Sequence, residues 1–169
     1  MKKHFSVFVC LVMLGISSLT NAAMAKDNGQ DGKDLFEFNQ LTTVVSPFTG
    51  TANPIRGIAG GGAPWQIASA HAELKTNGEI ELRVHGLTLV STGANPVATF
   101  AIILSCQSKD AVGAPSVVNL VAGTTPATST GDATFEGRVA LPSPCIAPIL
   151  FVAVPAGANS ARWLAVSGF

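Results

Sequence analysis

Two stretches constrain the fold more than any others, VATFAIILSC (97–106) and PILFVAV (148–154). Each is apolar at odd and even positions alike and rich in β-forming residues, the pattern of central strands covered on both faces. A third stretch, GDATFEGRVAL (131–141), alternates instead. Ala133, Phe135, Val139 and Leu141 fall on one side and Asp132, Thr134, Glu136 and Arg138 on the other, as in a half-buried strand. Turn signals (NG, GANP, GAP, TTPATSTG, LPSP, PAGANS) punctuate the chain, and no stretch shows sustained helical spacing with caps. The expectation is an all-β fold: one antiparallel β-sandwich over residues 35–169, seven to nine strands, with immunoglobulin- or fibronectin-like layering.

The first 25 residues read as a secretory signal peptide. Lys2, Lys3 and His4 precede an apolar run from Phe5 to Ile16, and Ala23-Met24-Ala25 supplies the small residues that a signal peptidase accepts. Cys10 lies inside the apolar run behind Val9, where a lipoprotein signal needs a small residue. No later segment has 18 uninterrupted apolar residues, so no transmembrane helix is expected. Cleavage after Ala25 leaves 144 residues, one domain in size. KDNGQDGKD (26–34) is polar and without periodicity, and is expected to be a disordered lead. Two lysines leave with the signal, so eight basic side chains stand against ten acidic ones, a formal charge of −2. The basic residues are scattered, which gives nucleic acid no footprint. The expected destination is the periplasm or the exterior, with an unknown protein or envelope ligand as partner.

Removal of Cys10 with the signal leaves Cys106 and Cys145 in an oxidising compartment, where two cysteines read as one disulfide. Closing a loop of about 40 residues is worth roughly 4 kcal/mol in the chain-entropy model.

One hairpin can be read to its register. QIASAHAEL (66–74) and EIELRVHGL (79–87) flank KTNG. A two-residue Asn77-Gly78 turn pairs Leu74 with Glu81. A three-residue loop, Thr76-Asn77-Gly78, pairs Leu74 with Ile80, Ala72 with Leu82 and Ala70 with Val84, so the apolar pattern selects it. Gly78 then takes the left-handed position. The opposite face sets Lys75 against Glu79, Glu73 against Glu81, His71 against Arg83 and Ser69 against His85. That face has two readings: a solvated surface whose acids are offset by Arg83 and Lys75, or a copper or zinc site made of His71, Glu73 and His85. No cofactor is otherwise expected.

RGIAGGGAPW (56–65) has four glycines in ten residues. A phosphate loop needs a lysine and a serine or threonine after the glycines and then a helix, and a dinucleotide fingerprint needs a βαβ setting. Here Ala63-Pro64-Trp65 and a strand follow, so the stretch reads as a turn. Gly60, Gly61 and Gly62 supply close approach or positive φ, Pro64 fixes the start of the strand, and Trp65 anchors the core or its rim. Arg56 is left open between stacking and pairing within the loop.

Catalytic patterns are not found. The serines lack a G-x-S-x-G elbow. Glu37, between Phe36 and Phe38, reads as an outward side chain of its strand. Asp110, Asp132 and Glu136 are available as carboxylates for glycoside hydrolysis, but nothing singles them out. The ending WLAVSGF, alternating back from Phe169 through Ser167, Ala165 and Trp163, raises the alternative of a small outer-membrane barrel. The absence of tyrosine, the two nearly all-apolar strands and the cysteine pair argue for the sandwich instead.

Together RGIAGGGAPW, the hairpin ending in HGL, Ser105-Cys106, LPSPCIAPILFV (141–152) and RWLAVSGF (162–169) resemble a group of uncharacterised bacterial secreted proteins. That group shares a G-G-x-P-W segment, a cysteine pair and a W-x-A-x-x-G end, and the resemblance covers about residues 50–169. It implies a fold, with Trp163 among its structural residues, and carries no activity. The expected function is therefore that of an exported, non-catalytic binding or structural module.

Overall fold

The structure, a computed structural model, describes residues 32–157 and 160–168. The signal-peptide reading, Cys10 and residues 26–31 of the expected lead lie outside them. The remainder of that lead is not free of structure. Asp34 opens a strand, and Lys33 O accepts a hydrogen bond from Thr76 N at 2.8 Å.

Among the described residues there are eight strands of five residues or more and four of two residues. In chain order they are β1 (Asp34–Phe38), β2 (Thr42–Thr43), β3 (Ala59–Gly60), β4 (Trp65–Gln66), β5 (Ser69–Lys75) and β6 (Glu79–His85). Then follow β7 (Thr88–Leu89), β8 (Thr99–Lys109), β9 (Pro115–Pro126), β10 (Ala133–Arg138), β11 (Ile146–Gly157) and β12 (Ser160–Val166). The smaller sheet runs β1-β5-β6-β10, the larger β2-β12-β11-β8-β9 with β3 also on β12, and β4 pairs with β7 apart from both. All pairings are antiparallel except the short β3–β12 bridge. Both sheets are open, so the barrel alternative fails, and β12 lies inside the larger sheet instead of closing one.

The smaller sheet shows why alternation matters. Ala70, Ala72, Leu74, Ile80, Leu82, Val84, Ala133 and Phe135 are buried on one face. The β5–β6 register pairs Leu74 with Ile80, Ala72 with Leu82 and Ala70 with Val84, as the apolar pattern requires. Gly78 holds φ at 83°, and a Cβ there would stand 1.9 Å from Val139 O. The strand expected over 66–74 is divided: β4 and β5 are separate strands with Ile67-Ala68 between them.

The central strands β8 and β11 of the larger sheet are buried on both faces, by different means. Phe100, Ile102, Leu104, Leu150 and Val152 face the smaller sheet; Gly123, paired with Ile102, has the Phe135 ring against it. Ala101, Ile103, Ile149, Phe151 and Ala153 point the other way and are buried too. Their cover includes the excursion between Val44 and Trp65. Trp65 N to Val44 O (2.9 Å) closes its base, and Val44 N to Leu164 O (2.8 Å) and Gly61 N to Trp163 O (2.9 Å) tie it to β12. Phe48 meets Trp163 with ring centroids 6.3 Å apart. The backbone crosses so closely at Gly60 that a Cβ would fall 2.0 Å from Phe48 O. Gly62, in contrast, has neither a left-handed φ nor a neighbour within 4 Å, so nothing at that position demands glycine. Trp65 and Trp163 are both buried. Cys106 and Cys145 are joined by a disulfide, Cα–Cα 5.0 Å.

Candidate functional site

The covering excursion leaves part of the larger sheet's outer face open, and a groove of about 650 Å³ forms there. Its floor is Ala101 and Ile103 of β8 with Asn119, Val121 and Thr124 of β9. One wall is Gly57, Ile58 and Ala59; residues of β11 and β12, Arg162 among them, line the rest. The size lies in the usual range of small-ligand clefts.

Arg56 fixes the wall. Its guanidinium donates from Nη1 to Ser105 O (2.8 Å) and from Nη2 to Ala147 O (2.6 Å), while Arg56 O accepts from Asn119 Nδ2 (3.0 Å). The question the sequence left open is thus answered: Arg56 reaches out of its own loop and clamps β8 and β11. Burial lowers its pKa. Its backbone φ of 48° is left-handed, a conformation that non-glycine residues adopt uncommonly.

Arg162 is placed differently. It lines the groove, and its one hydrogen bond among the described residues is long, 3.4 Å from Nη1 to Gly60 O. No carboxylate lies within ion-pairing distance of it among the described residues, and the described lining contains no histidine, cysteine, aspartate or glutamate. The groove therefore offers apolar surface, backbone edges and one guanidinium with donors to spare. That chemistry is suited to holding a ligand. Sequence reading missed Arg162; the signal available was a lone cation inside an otherwise apolar strand, RWLAV.

The polar hairpin face has the layout its register dictates. Lys75 Nζ lies 3.5 Å from Glu79 and 3.3 Å from Glu81, and the Glu81 hydrogen bond, with Glu79 adding to it, raises the lysine pKa. His71 hydrogen-bonds Asn39 Oδ1 (2.9 Å) and Glu73 Oε1 (3.1 Å), with Glu37 Oε1 3.9 Å away. His85 turns instead to Asp132, 3.5 Å away. Two of the three residues considered for a metal site thus meet, and the third has its own carboxylate. Among the described residues no group of three or more His, Cys, Asp or Glu is placed to hold a metal ion.

The other carboxylates considered have local work. Asp110 Oδ1 accepts from Val112 N (3.0 Å) and Ala114 N (2.8 Å), shaping the β8–β9 turn. Asp132 accepts from Thr130 Oγ1 (2.7 Å) and Gly86 N (3.0 Å), and these bonds, with His85 after them, lower its pKa. Glu136 is exposed opposite Glu81, and Glu37 points outward. Among the described residues no helix is long and apolar enough to cross a membrane.

No protein-family model matches the chain, and comparison with curated proteins and with solved structures gives no match.

Proposed function

We propose that this chain is an exported, non-catalytic β-sandwich module whose ligand lies in the outer groove of the larger sheet. The observation that carries the reading is Arg162: a guanidinium without a carboxylate partner among the described residues, at the edge of an apolar cleft. Its complement is an amphipathic anion, with an apolar body for Ile58, Ile103 and Val121 and an acidic end for Arg162. Export is supported by the signal-peptide pattern of residues 1–25 and by a disulfide suited to an oxidising compartment. The partner is a ligand of the cell envelope or the extracellular medium.

The test is titration with dodecanoate and, separately, with uncharged dodecanol, following tryptophan fluorescence. The reading expects saturable dodecanoate binding that weakens about tenfold or more in Arg162→Gln, the scale of a charge-assisted hydrogen bond. Dodecanol should bind the two proteins alike. Equal dodecanoate affinity in wild type and variant, or no saturable binding, overturns it.

A further inference from the structure

The borders of the two sheets are not alike. β1 is five residues long and carries Asp34 and Glu37; β10 is six and carries Glu136 and Arg138. On one side the larger sheet ends in strands of two residues, β2 and β3. Its other border is β9, twelve residues of sequence PSVVNLVAGTTP without a single charge. Among the described residues no strand pairs with the outward side of β9. β10 approaches it near one end, where Phe135 meets Gly123 and Thr125 Oγ1 donates to Thr134 O. Pro115 and the register shift opposite Ile102 and Ile103 confine the open stretch to 116–122.

A long uncharged border is a template for another strand, and folded proteins usually blunt it with lysine, proline or a cover. Here the sequence itself selects the complement. We propose that this stretch pairs antiparallel with its counterpart in a second copy of the chain, about a two-fold axis at Asn119.

Continuity of the sheet requires that the axis fall on a residue, because an axis between residues would set an outer-face side chain beside an inner-face one. Centred on Asn119, SVVNLVA reads as a near-palindrome. Val118 meets Leu120 of the second copy, Val117 meets its Val121, and Ser116 meets its Ala122. Moving the axis by one residue sets Asn119 against Val117 or Val121 and breaks both valine pairs. Those valines are the ones that need cover: Val117 is 48% and Val121 68% exposed. No charge within the strand opposes pairing, and cross-strand β-branched pairs are favourable. A two-fold pairing occupies the border of both copies, so assembly stops at two and the larger sheets become one. Val121 belongs to the groove floor as well, but the pairing rests on the border of β9 alone and is tested without any ligand, so its failure and that of the groove reading are distinguishable.

Sedimentation velocity of the purified protein tests it. The wild type is expected at twice the chain mass, and Val117→Lys/Val121→Lys at the mass of one chain. Both positions are exposed, so the variant should keep the wild-type circular dichroism and still unfold cooperatively, at a midpoint that no longer depends on protein concentration. Asn119→Cys, oxidised, should yield a covalent dimer joined at residue 119, and a cysteine at exposed Val112 should not. A monomeric wild type, a dimer that survives the double lysine substitution, or no cross-link at 119 overturns the proposal.

Discussion

Asn95 is a buried amide with all its polar groups in use. Nδ2 donates to Val97 O (2.7 Å) and Thr128 O (2.8 Å), and Oδ1 accepts from Val97 N (2.9 Å). Asn95→Ala strands those partners and is expected to lower stability by about 1–3 kcal/mol. Ser105 is the opposite case, its buried hydroxyl having no partner among the described residues. Ser105→Ala removes a desolvated hydroxyl and should leave stability unchanged or raise it by about 1 kcal/mol. Urea melts of the two variants decide this contrast. Asp132 adds a pH dependence. Its folded pKa lies below the ordinary value of about 4 because of Thr130 first, then Gly86 and His85. Its contribution is therefore present above the unfolded pKa and lost as pH falls through the lowered one. Thermal melts of wild type and Asp132→Asn should differ at neutral pH and converge in acid below the usual carboxylate range. Most partners of this kind were not legible in the sequence: Asn95 bonds Val97 within its own turn, but its bond to Thr128, and those of Arg56 and Arg162, reach backbone atoms brought near only by the fold.

At the scale of elements, the β5–β6 hairpin was legible to its register because one face had to be apolar and a slip of one residue would have reversed it. The same logic fixes Gly78. Gly78→Ala forces a left-handed backbone and drives a methyl onto Val139 O, so a loss of at least about 2 kcal/mol is expected, read by chemical denaturation. The disulfide was legible on the expectation that Cys10 leaves with a signal peptide, since Cys106 and Cys145 then allow only one pairing, and the structure joins them. Replacing both with serine should cost roughly 4 kcal/mol, measured the same way. The division of residues 66–74 into two strands had a signal that the single-strand expectation passed over: alternation holds from Ala68 to Leu74, but Gln66 and Ile67 fall on the wrong faces for it. β9 was hidden as well: its exposed valines do not distinguish a border strand from a buried one, and its last residues, Thr124–Pro126, were read within a turn signal.

For the molecule as a whole, two nearly all-apolar stretches required cover on both faces, and the sequence pattern made a layered domain legible. It did not reveal that the second face of the larger sheet is covered by an irregular excursion instead of a third sheet. That substitution has a consequence, because a loop held by Arg56, Gly60 and Gly61 spans the sheet incompletely and leaves the groove beside Arg162. RGIAGGGAPW, read in isolation as a turn, is thus one wall of the candidate site. The measurement that tests this account most directly is an amide chemical-shift map of the wild-type protein titrated with dodecanoate. Saturating shifts are expected at Ile58, Ala101, Ile103, Val121 and Arg162, and none along the His71–His85 face. Shifts confined to another surface, or none at saturating ligand, would contradict it.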